Sequence, residues 1–106
     1  MTGVKEKLDV VALFKAERQT MSAFKGLSDA ATRPGELTAK VKELTAVAIA
    51  VAKGCDDCII YHTAAAKKHG AGRQEFIEIL AVAVEMAGGP GTVYAAKALQ
   101  VFDEFA

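Results

Sequence analysis

Long apolar runs are missing from this chain, and so is a charge of one sign. The longest apolar stretches, Ala46 to Ala52 and Ile79 to Val84, fall far short of the ~20 residues a helix needs to cross a bilayer, so no membrane span is expected. Basic and acidic residues balance at 13 each. No cluster of Lys or Arg is interleaved with aromatics, so nothing marks a nucleic-acid surface. The opening residues, MTGVKEKLDV, lack the apolar core of a secretory signal, which makes a reducing, cytoplasmic compartment the expectation. Cysteine is scarce: Cys55 and Cys58 are the whole supply. No second Cys/His pair exists to complete a structural zinc site, and haem attachment would need a His where Ile59 stands. No metal or cofactor is therefore called for. No stretch alternates with strand period for long, and no internal repeat or low-complexity tail is visible.

What the sequence does have is apolar helix-forming material. With 106 residues it fits one domain, residues 1–106, and 52% of them are hydrophobic. Such a small chain leaves much of its surface exposed. Some apolar surface should remain after a single copy folds, and burying it between subunits predicts a homo-oligomer.

The pattern along the chain is all-α, about six helices. Val4, Leu8, Val11 and Ala12 recur at helical spacing and predict a first amphipathic helix from Val4 to about Arg18. Met21, Phe24 and Leu27 extend the period towards Ala31 as a second helix, continuous with the first or separate from it, until Pro34-Gly35 ends it. This N-terminal third, residues 1–35, reads as packing or oligomerisation material, and residues 36–106 as the core. Thr38 is a plausible N-cap for a third helix running to about Lys53, apolar on all sides from Leu44 to Ala52 and so expected to be buried. Gly54 ends it in the manner of a left-handed stop. A fourth helix runs from Cys55 to Gly70, with Lys67, Lys68 and His69 in its last turn. The fifth covers Arg73 to Ala87, and GGPG at 88–91 places Pro90 in the first turn of the sixth.

The chemistry gathers in one stretch, KELTAVAIAVAKGCDDCIIYHTAAAKKHG, residues 42–70. Positions three, four and seven apart share a helix face, so Cys55, Cys58 and His62 fall on one stripe. At ~1.5 Å rise per residue, Glu43 lies ~16 Å before Gly54 and His62 ~12 Å after it. In an antiparallel hairpin, the central feature of the expected fold, these two side chains face each other. A first-turn position favours a thiolate through the exposed N–H groups, while Asp56 and Asp57 in the same turn oppose it. A base is required, and His62 can supply it, with Glu43 orienting the imidazole or relaying its proton. Two sulfurs three apart also let an oxidation at one be resolved by the other as a disulfide.

The segment ELTAVAIAVAKGCDDCIIYHTAAAKKHGA resembles the carboxymuconolactone decarboxylase-like superfamily, and its Glu, CxxC and downstream His are similar to the AhpD-like alkylhydroperoxidase branch. The likeness spans roughly residues 36 to 106. It implies an all-helical, AhpD-like fold assembled as trimers or hexamers, and a thiol-dependent peroxidase or disulfide reductase activity. It also implies Cys58 as the peroxide-attacking thiol, Cys55 as the resolving one, Glu43 and His62 as the proton relay, and a protein thiol or lipoyl-type electron donor. The branch has a His between the cysteines where this chain has Asp57, and the decarboxylases of the superfamily generally lack the cysteine pair.

Two other readings stay beside this one. A non-redox decarboxylase-like enzyme would use Glu43 and His62 as acid and base and leave the sulfurs idle. A binding protein would use Cys55, Cys58 and His62 for a metal or a small molecule. His69, Tyr61 and Tyr94 carry no assigned role.

Overall fold

The computed structural model describes residues 10–105, which contain six α-helices and no strand. The chain divides between Arg33 and Pro34 into two compact units.

The N-terminal unit holds α1, Val10–Ala16, and α2, Arg18–Thr32. They are separate helices. At Glu17 the backbone leaves helical geometry, with φ −130° and ψ 68°, and the Glu17 carboxylate accepts the Thr20 N–H and the Thr20 hydroxyl. The side chain thus satisfies donors that a new helix start leaves open. The expected helix beginning at Val4 lies, in its first residues, outside the described part of the chain.

The second unit contains α3, Ala39–Lys53, α4, Asp56–Lys68, α5, Arg73–Ala87, and α6, Gly89–Glu104. Thr38 caps α3 as its sequence position predicts, its hydroxyl accepting the Val41 N–H at 3.1 Å. The Glu75 carboxylate accepts the Gly72 N–H at 2.9 Å and secures the start of α5, and Pro90 sits in the first turn of α6. Helices α3 and α6 pack against each other and each against both α4 and α5. Alanine makes the close approach possible: Ala50, Ala66, Ala83, Ala95 and Ala98 are buried beside Val47, Val51, Ile59 and Phe76. Phe76 and Phe102 stack at 4.6 Å between centroids, joining α5 to α6. At Gly91, where α6 meets α5, a Cβ would stand 2.8 Å from that of Ala87, so only hydrogen fits.

One expectation is corrected. Helix α3 is apolar on all sides only from Leu44 to Ala52, yet it is buried on one stripe, Ala39, Glu43, Leu44, Val47, Ala50 and Val51. Three neighbouring helices cannot enclose a fourth completely, so Ile49 remains 54% exposed. Together with Ile79, Val82 and Met86 of α5, Ile49 and Ala52 line an open apolar trough of about 230 Å³. A larger hollow, about 460 Å³, belongs to the N-terminal unit around Phe14, Lys15 and Ser22 and holds no redox-active side chain.

Candidate functional site

The site is built on the reversal between α3 and α4. Gly54 adopts φ 70° and ψ 39°, the left-handed conformation that glycine enters without a Cβ penalty. Its N–H donates to the Val51 carbonyl at 3.2 Å, and the Cys55 N–H to that of Ala50 at 3.0 Å. This paired ending is a Schellman motif, and it ties the backbone of Cys55 to the last turn of the preceding helix. Cys55 is then the N-cap of α4, at φ −103° and ψ 98°. Its sulfur accepts the Cys58 N–H at 3.2 Å, in the role a hydroxyl or carboxylate oxygen plays at other helix starts.

Cys55 and Cys58 are joined by a disulfide with 5.3 Å between their Cα atoms. Cys58 is exposed and Cys55 half-buried, and Asp56 and Asp57 occupy the intervening first-turn positions. One helical turn beyond Cys58, His62 turns its Nδ1 towards Glu43 Oε1 at 2.6 Å. This contact spans 19 residues of sequence and is possible because α3 and α4 run antiparallel. Glu43 is only 5% exposed, one of two buried polar residues in the described chain. With the Glu43 oxygen as acceptor, Nδ1–H donates and Nε2 is left open to take a proton. The Tyr61 ring and the imidazole stand nearly perpendicular, centroids 4.9 Å apart at 83°.

The structure therefore brings Glu43 to His62 and Cys55 to Cys58, on one hairpin. His69 lies exposed at the far end of α4, away from both pairs. Among the described residues, no group of three or more His, Cys, Asp or Glu side chains is placed to hold a metal ion. No helix among them is long and apolar enough to cross a membrane.

Two residues of α6 border the same turn. A Cβ on Gly54 would meet the Tyr94 ring at 3.2 Å, so the ring lies flush on the glycine. Lys97 holds its Nζ 3.5 Å from Asp56 Oδ1 and 4.9 Å from the Tyr94 ring centroid. Sequence spacing shows Tyr94 and Lys97 on one helix face, but what that face meets depends on how α6 packs.

Comparison with known proteins adds a family context. The model of the Carboxymuconolactone decarboxylase family matches residues 18–101. An uncharacterised protein of Cupriavidus necator is 55% identical over 92 residues, covering 87% of this chain and 81% of that protein. A crystal structure of a carboxymuconolactone decarboxylase family protein from Legionella pneumophila, in its apo form, superimposes with a TM-score of 0.86 at 47% identity, over 90% of this chain and 86% of the other. Another family protein, from Thermotoga maritima, gives 0.76 at 31% identity, over 81% and 89%.

Proposed function

This chain belongs to the carboxymuconolactone decarboxylase family, and we propose that within it the protein is a thiol-dependent peroxidase or disulfide oxidoreductase of the AhpD-like kind. The observation that carries this reading is a sulfur pair at an exposed helix start, one turn from an imidazole held by a buried carboxylate. The Thermotoga relative, put forward as a candidate participant in an antioxidative response, points the same way.

In this reading Cys58, the more exposed cysteine, passes its thiol proton to His62 and attacks the terminal oxygen of a hydroperoxide. The O–O bond breaks and an S–O bond forms. The departing alkoxide takes the proton from the imidazolium and leaves as an alcohol. Cys55 then attacks the sulfenic acid, the S–O bond breaks, and the released hydroxide leaves as water with the Cys55 proton. Reduction of the disulfide by a protein thiol or lipoyl-type dithiol returns two electrons and two protons. Glu43 keeps the imidazole oriented through both transfers. With a disulfide as substrate, the same thiolate forms a mixed disulfide that Cys55 resolves.

The test is a thiol count on protein reduced with dithiothreitol and freed of it. One equivalent of cumene hydroperoxide should take both cysteines out of the free-thiol pool, while Cys55→Ser should stop at the Cys58 sulfenic acid. Persistence of two thiols would refute the redox reading. The non-redox alternative, favoured by the family description and by a Glu43–His62 pair that exists independently of the sulfurs, predicts turnover that Cys58→Ser retains and His62→Ala loses.

The same proposal includes assembly. The trough along Ile49, Val82 and Met86 is lined without a single charged side chain, and a formal net charge of zero sets no long-range repulsion between copies. A second copy of this chain is the occupant proposed for it, in a trimer or hexamer, within a reducing, cytoplasmic compartment.

A further inference from the structure

Lys97 is 49% exposed, and an ion pair so open to water adds little to folding. Its placement is more informative than its strength. From α6 it reaches back across 41 residues of sequence to Asp56, which stands between the two sulfurs. The ammonium lies 3.5 Å from the Asp56 carboxylate and rests over the Tyr94 ring, whose carbons lie against Gly54. The middle of α6 thus covers the reversal that presents both cysteines. Asp56 in the first turn suits the helix, yet it opposes a thiolate forming at either neighbouring sulfur. A cation seated on that carboxylate offsets the opposition.

We infer that Lys97, seated on Tyr94, is a positioning residue that sets the dithiol–disulfide balance of Cys55 and Cys58 by neutralising Asp56, an inference that rests on the redox reading above. The disulfide is uncharged, whereas the reduced pair carries a thiolate to the extent that Cys58 has passed its proton to His62. A nearby charge therefore acts on the reduced side of the equilibrium. Losing the cation favours the disulfide and losing the anion favours the dithiol. Asp57 in the same turn, Lys53 in the last turn of α3 and His62 on α4 stay constant across the variants that test the idea.

The experiment equilibrates the full chain in mixtures of reduced and oxidised dithiothreitol at one pH and low salt. Dithiothreitol gives two electrons and two protons and closes its own ring as Cys55–Cys58 opens, and the reduced fraction is read by alkylation and intact mass. Lys97→Met should shift the equilibrium about fivefold towards the disulfide, ~20 mV more negative at ~30 mV per tenfold. Asp56→Asn should shift it about fivefold the other way. The double variant should return to within about twofold of the parent, and Lys97→Arg should keep the parent value. Lys68→Met removes the same charge ~18 Å further along α4 and should move the balance less than about twofold. An unmoved potential in Lys97→Met, or equal shifts in Lys97→Met and Lys68→Met, would overturn the inference and leave the redox function standing. A Lys97→Met that lowers the urea midpoint while keeping the parent potential would make the clamp purely structural and overturn it too. Absence of any dithiol–disulfide equilibrium in the parent would instead bring down the redox reading itself.

Discussion

Replacing Glu43 by glutamine separates the orientation of His62 from the folding of the hairpin. The wild-type contact is 2.6 Å between Glu43 Oε1 and His62 Nδ1, with side-chain exposures of 7% and 22%, so solvent screens it weakly. A glutamine carbonyl can still accept the Nδ1–H, which leaves a neutral hydrogen bond of ordinary strength, and folding should change by no more than ~1 kcal/mol. Glu43→Ala removes the acceptor altogether and strands a half-buried imidazole, which should cost ~2–3 kcal/mol. The kinetic consequence differs. Proton transfer by a positioned base contributes ~10²–10⁴-fold, and loss of the carboxylate charge that supports the imidazolium should remove ~10–100-fold of it, or ~1.4–2.8 kcal/mol of barrier. The assay is single-turnover oxidation of reduced protein by a hydroperoxide in stopped flow, alongside urea denaturation. Should Glu43→Gln oxidise at the parent rate, the relay is not part of the chemistry. A rate that falls only in step with lost folded fraction would assign Glu43 to the hairpin alone.

Three other perturbations follow from the geometry. Gly54→Ala places a Cβ at φ 70° and 3.2 Å from the Tyr94 ring, so the urea midpoint should fall by an equivalent of ~1–3 kcal/mol, with the smaller figure in a Tyr94→Ala background. The Arg73 guanidinium holds the Asp103 carboxyl below its ordinary 3.8, and the Gly72 N–H, aided by Lys40, holds Glu75 below 4.5. A carboxylate depressed in the folded state contributes stability above its unfolded pKa and loses it as pH falls through the folded one. Thermal stability should therefore decline below about pH 4, and less steeply in Arg73→Met, as differential scanning calorimetry across pH 2–6 would show. Met86→Asp introduces a charge into the apolar trough, and sedimentation equilibrium should find a mass near the 11.1 kDa of one copy with helical circular dichroism retained. An unchanged assembly mass would move the subunit contact elsewhere.

Much of this protein is set locally. Thr38, Gly54, Gly72 and Pro90 punctuate the chain through backbone preferences and side-chain caps that act within a few residues, so helix boundaries from Ala39 onward follow from the residues themselves. The common stripe of Cys55, Cys58 and His62 is likewise a property of helix period, and the meeting of Glu43 with His62 needed only a short reversal and a similar rise on both sides, ~16 and ~12 Å. Other features depend on packing between elements distant in sequence. Glu17 divides the N-terminal helices through a side-chain contact that periodicity does not register. Which face of α3 is buried depends on where α4, α5 and α6 run out of surface, because its nearly all-apolar run from Leu44 to Ala52 carries no stripe to choose between. The approach of Tyr94 and Lys97 to the cysteine turn is likewise decided only when α6 docks, since their spacing fixes a face but not the neighbour that face meets.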